Sequence, residues 1–144
     1  MRHNIFLISL ILIFCNGVSA QQGKEPWDGK QLLEPAILAS RIDQDRTDDL
    51  LILSVGPDVV IKGSVDIGPA QEPANIEKLK NYLKNVPKDK EVVIYCGCCP
   101  FDKCPNVRPA FKELKEMGFE NPRLLNIRKN IKVDWIDKDY PIND

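Results

Sequence analysis

The sequence predicts an α/β domain in which a mainly parallel central sheet carries helices on both faces. Two observations lead to this fold class. Apolar runs at residues 49–56, 91–96 and 123–127 have the length and composition of buried strands. Between them lie longer segments whose apolar residues recur with helical period. Strands that alternate with helices along a chain favour parallel strands joined by helical crossovers.

A helix and a strand are the first elements of the predicted domain. Residues 34–42 place Ile37, Leu38 and Ile42 at helical spacing, behind a proline in a position that a first helical turn tolerates. Residues 49–56 form an apolar run that ends in glycine and is followed by proline. This pattern is typical of a buried strand that leads into a turn.

The rest of the chain continues the same alternation. Its helical segments have one apolar face opposite charged residues, and its strand segments are short and apolar. The predicted elements are two short extended pieces within 59–68, a helix at 75–86, a strand at 91–96, a helix at 106–119, a strand at 123–127 and a closing helical turn or loop at 133–142.

The N-terminus is predicted to be a signal peptide. The segment MRHN gives a positive start, IFLISLILIF an apolar centre, and VSA a cleavage site of small residues that ends at Ala20. Bulky Phe14, directly before Cys15, argues against a lipid-anchored cysteine. We therefore expect cleavage after Ala20 and export to the periplasm or the extracellular space. Residues 21–32 are then an N-terminal extension and residues 33–142 the folded domain.

Charge and length exclude two classes of partner. The formal net charge of -1 leaves no basic surface for nucleic acid. The apolar run of the signal peptide is too short for a comfortable membrane span, so no membrane contact is expected after cleavage.

The single histidine, His3, lies in the predicted signal peptide and is removed with it. A mature chain without histidine cannot use a Ser-His-Asp or Cys-His mechanism. It cannot build a zinc site from cysteine and histidine either. Any nucleophile in this protein must be activated without an imidazole base.

Four of the five cysteines lie in one short stretch, EVVIYCGCCPFDKCPN at residues 91–106. They are Cys96, Cys98, Cys99 and Cys104. The stretch begins as the predicted strand and ends where the next helix is expected, with Asn106 or Cys104 as the helix cap. In parallel sheets, ligands bind at the carboxyl ends of strands. The cluster therefore occupies the expected position of a functional site.

The residues leave several uses of these thiols open. Disulfides within the cluster would close only very small loops and add little stability. A C-x-C-C-x4-C pattern offers soft ligands for Cu(I) or Zn(II), but structural zinc sites usually take two ligand pairs from separate turns. We therefore predict no metal; if one is present, its ligands are Cys96, Cys98, Cys99 and Cys104. A redox C-x-x-C pair is a further reading, although it would stand late in the chain for a thioredoxin-like domain.

The order of six segments resembles the rhodanese-like domain family over residues 33–141. LLEPAILASRI is similar to the opening helix, LLILSVG to the first long strand, and IKGSVDIG to the loop segment after it. VVIYC resembles the strand that carries the catalytic cysteine, FKELKEMGF the following helix, and DWIDKDYPI the tryptophan-containing end.

This resemblance implies a sulfurtransferase in which Cys96 is the nucleophile. Cys96 would take sulfane sulfur from a small-molecule donor such as thiosulfate and pass it, through a persulfide, to a thiol or cyanide acceptor. No cofactor is implied, and a thiol reductant is a candidate partner. The active-site loop would contain Gly97, Cys98, Cys99, Lys103 and Cys104. Arg108, near the helix start, is a candidate for binding an anionic donor, as is Lys103 from the loop.

The chain departs from the family pattern in ways that leave the donor open. Ser54 and Gly56 stand where the family commonly has aspartate and arginine, and the active-site loop is longer and has three extra cysteines. Cys104 lies close to the next helix, so we expect its thiol to be activated too and to resolve the Cys96 persulfide. The alternative function is a thiol-rich metal-binding or thiol-disulfide redox module on the same scaffold.

Overall fold

A five-stranded parallel sheet runs through the centre of the computed structural model, which describes residues 25–144. The strands are β1 (Leu32–Leu33), β2 (Leu50–Ser54), β3 (Val65–Asp66), β4 (Glu91–Tyr95) and β5 (Pro122–Leu125). They lie side by side in the order β1-β5-β4-β2-β3. The predicted α/β class with a parallel central sheet is confirmed.

Within residues 25–144, four α-helices connect or follow the strands, and the first three lie where the sequence patterns predict them. The closing helical turn or loop expected at 133–142 is preceded by a helix that begins at Ile131. Two of the helices start with a proline, which is tolerated there because the first turn does not need the backbone N–H that proline lacks. The helices are α1 (Pro35–Asp43), α2 (Pro73–Leu83), α3 (Val107–Glu116) and α4 (Ile131–Asp134). Short 3₁₀-helices cover Gly29–Gln31 and Ile136–Lys138.

The side chains of β4 divide the core into two layers. Val92 and Ile94 pack into a cluster with α2 and α3. Val93 and Tyr95 pack into a second cluster with α1 and α4. Both faces of the central strand are therefore covered by helices, as predicted. This explains why its sequence is continuously apolar and does not alternate with polar residues.

The chain before the first helix joins the fold. β1 pairs with β5 in parallel, although it contains only two residues and carries no recognisable strand pattern. Upstream of it, Asp28 caps the first 3₁₀-helix. Trp27 contacts the rings of Phe101 and Phe111 at centroid distances of 6.1 and 5.7 Å. The part of the predicted extension that the structure describes thus packs against the domain.

The predicted signal peptide, residues 1–20, lies outside the described residues. Within residues 25–144, no helix has the length and apolar character needed to cross a membrane.

Candidate active site

Cys96 directly follows β4 at the carboxyl edge of the sheet, and only 2% of it is exposed. The backbone on both sides of it is fixed. Val55 donates its N–H to the carbonyl of Tyr95 at 2.9 Å, and Ile131 donates to the carbonyl of Gly97 at 2.8 Å. The sulfur is therefore positioned by the sheet and by α4, and not by a free loop.

Two glycines allow neighbouring backbone to approach Cys96 closely. A Cβ atom on Gly56 would lie 2.7 Å from Cys96 Sγ. A Cβ atom on Gly97 would lie 2.7 Å from the Cβ of Ile131. A side chain at either position would displace the thiol or its support. Sequence reasoning noted Gly56 as the end of a strand and as a departure from the family pattern, but missed that it adjoins the sulfur.

The structure brings the predicted cysteines together. Cys98 Sγ lies 3.2 Å from Cys96 Sγ and 3.1 Å from Cys99 Sγ. The sulfur atoms of Cys96, Cys98 and Cys104 all lie within 4.8 Å of one another. All four side chains are free thiols. Cys96 and Cys104 are buried, Cys99 is partly buried, and Cys98 is exposed, so the cluster extends from the core to the surface.

Hydrogen bonds to its sulfur lower the pKa of Cys96 to about 5. The largest contribution comes from the Cys104 thiol, and burial of Cys96 opposes it. The backbone N–H of Cys98 and the side chains of Asn106 and Cys98 lower the pKa further. Each of these donors binds the charged form better than the neutral form. Cys96 is therefore a thiolate at neutral pH, which is the nucleophilic form of cysteine.

The pKa values of Cys98 and Cys104 are raised, so these two thiols stay protonated at neutral pH. Burial and hydrogen bonds to Cys99 and Cys96 raise the pKa of Cys98 to about 12. The pKa of Cys104 is also raised, by its hydrogen bond to Cys96 and by burial. Backbone N–H groups at the start of α3 act in the opposite direction on Cys104, but they do not prevail. The prediction that Cys104 is a second activated thiol is wrong, because the Cys96 thiolate uses it as a hydrogen-bond donor.

Asn106 supplies a donor that sequence reasoning treated only as a helix cap. Its side-chain amide donates to Cys96 Sγ at 3.4 Å, while its oxygen accepts the N–H of Gln71 at 3.0 Å. The residue is buried and stands directly before α3, but its side chain makes no capping hydrogen bond. The only sequence signal for it was an asparagine at a helix start near the cysteines.

Arg108 is engaged with the N-terminal segment. Its guanidinium pairs with Glu25 at 2.5 Å, donates to the carbonyls of Cys104 and Asp102, and lies 5.6 Å from the ring of Trp27. Among the described residues, its hydrogen bonds go to these groups and not to the sulfur atoms. Arg108 thus fastens the active-site loop to residues 25–27.

The rest of the active-site loop includes Phe101 and Lys103. The backbone N–H of Phe101 donates to the carbonyl of Ile127 at 2.8 Å, which ties the loop to the chain after β5. The ring of Phe101 packs beside Trp27. Lys103 is exposed on the same loop. The long loop is therefore held from two sides.

The cluster also has the donor set of a soft-metal site. Three sulfur atoms within 4.8 Å of one another are close enough to share one ion, whereas the sulfur of Cys99 contacts that of Cys98 and is not part of this group. Thiolates select Cu(I) or Zn(II). Binding would require Cys98 and Cys104 to lose their protons, because only the thiolate is a ligand. The residues therefore fit a metal whose affinity increases with pH.

No protein-family model matches the chain, and no curated protein matches it. Solved structures do. A protein from Lactobacillus plantarum is 15% identical, with a TM-score of 0.58, over 80% of this chain and 89% of that chain. Wild-type EanB is 14% identical, with a TM-score of 0.59, over 85% of this chain but only 29% of EanB. A variant of EanB in complex with hercynine aligns over 84% of this chain with the same TM-score of 0.59. At these identities, the likeness establishes the α/β fold alone.

Proposed function

We propose that the protein is a sulfurtransferase of the rhodanese-like type. Cys96 takes sulfane sulfur from a small-molecule donor, such as thiosulfate, and gives it to a thiol or cyanide acceptor. The observation that carries the proposal is the hydrogen-bonded Cys96 sulfur at the carboxyl end of β4, whose pKa is lowered to about 5. The order of segments that resembles rhodanese-like domains supports it independently.

In the first step, the Cys96 thiolate attacks the sulfane sulfur of the donor. With thiosulfate, a new S–S bond forms at Cys96 while the S–S bond of the donor breaks, and sulfite leaves with the electron pair. The product is a persulfide anion on Cys96. The N–H of Cys98 and the amide of Asn106, which favour the thiolate, also favour this anion.

In the second step, an acceptor attacks the outer sulfur. A thiolate becomes a persulfide and cyanide becomes thiocyanate, while Cys96 leaves as the thiolate. No proton has to be removed from Cys96 in either step because the thiolate exists beforehand. This chemistry suits a chain without an active-site histidine.

A cation beside the site would attract an anionic donor. Cys98, the exposed member of the cluster, marks the solvent side of Cys96. Lys103 is exposed on the same loop and is the candidate to attract the donor. Arg108 is less suited, since its guanidinium is paired with Glu25.

The test is persulfide formation by the reduced protein. We expect one sulfur atom on Cys96 in samples quenched early after treatment with thiosulfate or inorganic polysulfide, as measured by peptide mass. Cys96→Ser should abolish the addition. Cys99→Ser is the matched control, because Cys99 makes no sulfur contact with Cys96 among the described residues. Uptake of sulfur by Cys96→Ser at the wild-type level would contradict the proposal.

A second candidate function is binding of Cu(I) or Zn(II), and the closely spaced sulfur atoms of Cys96, Cys98 and Cys104 favour it. Metal content measured after purification under reducing conditions tests it. Stoichiometric metal that is lost in Cys104→Ser would support a metal centre. Metal-free protein that binds neither ion in competition with a chelator would exclude it.

A further inference from the structure

We propose that Cys98 resolves the persulfide on Cys96, releasing the sulfur as hydrosulfide and leaving a Cys96–Cys98 disulfide. This inference rests on the proposed function, because it starts from the Cys96 persulfide. It adds a second activity, the reduction of sulfane sulfur at the expense of a dithiol, and a second reacting residue.

The geometry selects the inner sulfur of the persulfide as the point of attack. Cys98 Sγ lies 3.2 Å from Cys96 Sγ. A disulfide bond is about 2.05 Å long, so the two atoms need to approach by only about 1 Å. Cys96 is fixed at the end of β4, whereas Cys98 lies in a bend and is exposed. The movement therefore falls on Cys98.

Neither of the other two cysteines fits this role as well. Cys104 is completely buried in the core cluster with α3, so a reductant could not reach a disulfide that it formed without opening the core. The sulfur of Cys99 contacts that of Cys98 and not that of Cys96. Cys98 combines direct contact with the reacting sulfur and exposure to solvent.

The step balances without a base. The sulfur of Cys98 bonds to the inner sulfur of the Cys96 persulfide, and the S–S bond of the persulfide breaks. The outer sulfur leaves with the electron pair and takes the proton of the Cys98 thiol, so it departs as hydrosulfide. The two cysteines are oxidised by two electrons in total, and the sulfane sulfur is reduced by two.

Resetting the site requires an external dithiol reductant. One of its thiolates attacks the exposed sulfur of Cys98, and Cys96 leaves as the thiolate. Cys96 is the better leaving group because its pKa is the lower of the pair. The second thiol of the reductant then attacks the mixed disulfide, which frees Cys98 and leaves the reductant oxidised.

The experiment is a single turnover of the full chain in the absence of oxygen and reductant. Reduced wild type, Cys98→Ser, Cys104→Ser and Asn121→Ala each receive one equivalent of thiosulfate or, in a second arm, inorganic polysulfide. Released sulfide is measured, free thiols are alkylated, and peptides are identified by mass. Wild type should release sulfide and contain the Cys96–Cys98 disulfide. Cys98→Ser should retain sulfur on Cys96 and release sulfide at least about tenfold more slowly. Asn121→Ala, whose side chain bonds to the Asp89 carbonyl at the opposite end of β4, should behave like wild type.

The outcomes separate the two proposals. A stable Cys96 persulfide in wild type, without disulfide or sulfide release, would overturn the role of Cys98 and leave the sulfurtransferase proposal standing. Transfer of the sulfur to Cys98 without sulfide release would also overturn the resolving role of Cys98 and leave the sulfurtransferase proposal standing. If Cys98→Ser releases sulfide as fast as wild type while Cys104→Ser retains it, Cys104 is the resolving thiol. No sulfur uptake by any variant, with either donor, would overturn both proposals.

Discussion

The side-chain amide of Asn106 donates to the sulfur of Cys96 at 3.4 Å, although the two residues stand at opposite ends of the active-site loop. The same side chain accepts the backbone N–H of Gln71, which precedes α2. One buried asparagine directly before α3 therefore connects the Cys96 thiolate to the segment that precedes α2. Its removal should affect the charge on the sulfur more than it affects the fold.

We expect Asn106→Ala to raise the pKa of Cys96, because a hydrogen bond to a charged group is lost. The alkylation rate of Cys96 near about pH 5 should fall several-fold, since each pKa unit corresponds to about 1.4 kcal/mol. The measurement is the iodoacetamide rate as a function of pH. Asn121→Ala is the control, since the Asn121 side chain bonds to the Asp89 carbonyl at the opposite end of β4. Equal rates for the two variants would remove Asn106 from the site.

The rate of persulfide formation should depend on the ionisation of Cys96. Its pKa is lowered to about 5, so the reactive thiolate is depleted as pH falls through about 5 and is fully formed well above it. The rate should rise with pH through this value and then stay level through neutral pH. Single-turnover sulfur uptake by Cys98→Ser measures the dependence without the resolving step. A midpoint near the ordinary cysteine value of 9.0 would contradict an activated Cys96.

The sequence was sufficient to predict the strands other than β1, the long helices and the gathering of the cysteines. Buried strands reveal themselves by continuous apolar runs, and Cys96, Cys98 and Cys104 are close in space largely because they are close along the chain. Less could be said about which face of a helix is buried. Ile37 shares the helical spacing of Leu38 and Ile42 but is 54% exposed, since α1 buries a narrower stripe than the pattern suggests.

The missed features depend on neighbours that are remote in sequence. Gly56 meets Cys96 because β2 lies beside β4 with Ser54 opposite Tyr95, and a pattern of apolar runs does not specify which strands are adjacent. The raised pKa of Cys104 depends first on its hydrogen bond to Cys96 and then on its burial. The sequence suggested a lowered pKa for Cys104, because the field at the start of a helix was the only effect on this thiol that the sequence showed.

Export should remove residues 1–20. The small residues that end at Ala20 predict cleavage there, and Phe14 does not suit a lipid-anchored Cys15. Intact-mass analysis of the exported protein should show an N-terminus at Gln21. A lipid-modified Cys15 at the N-terminus would contradict this and place the protein on a membrane.

Gly56→Ala should impair Cys96 while the protein still folds. The new Cβ would lie 2.7 Å from Cys96 Sγ and 3.3 Å from its Cα, so the end of β4 must shift. Such overpacking costs about 1–3 kcal/mol of unfolding free energy. We expect a lower melting temperature and a loss of sulfur uptake that exceeds the fraction unfolded. Gly29→Ala, where nothing lies within 4 Å of the added Cβ, should leave both unchanged. Sulfur uptake by Gly56→Ala at the wild-type level would contradict this prediction, because Cys96 would then react normally after its sulfur is displaced.

The pair of Arg108 and Glu25 offers a test of what Arg108 does. The two side chains are 37% and 40% exposed, so their ion pair contributes about 1 kcal/mol of stability or less. If Arg108 only fastens the loop to the N-terminal segment, Arg108→Ala and Glu25→Gln should cause similar, small losses of stability and of activity.

A role of Arg108 in binding an anionic donor would separate these variants. Arg108→Ala would then raise the KM for thiosulfate, whereas Glu25→Gln would free the guanidinium and lower it. Arg108 donates to the loop carbonyls of Cys104 and Asp102 and pairs with Glu25. We therefore expect Arg108 only to fasten the loop, so that Arg108→Ala and Glu25→Gln have similar, small effects. Lys103→Ala serves as the comparison, since the exposed Lys103 is the better candidate for attracting the donor. The KM for thiosulfate should rise in Lys103→Ala and lie closer to the wild-type value in Lys103→Arg. The melting temperatures of both variants should be unchanged. A raised KM in Arg108→Ala alone would return donor binding to Arg108.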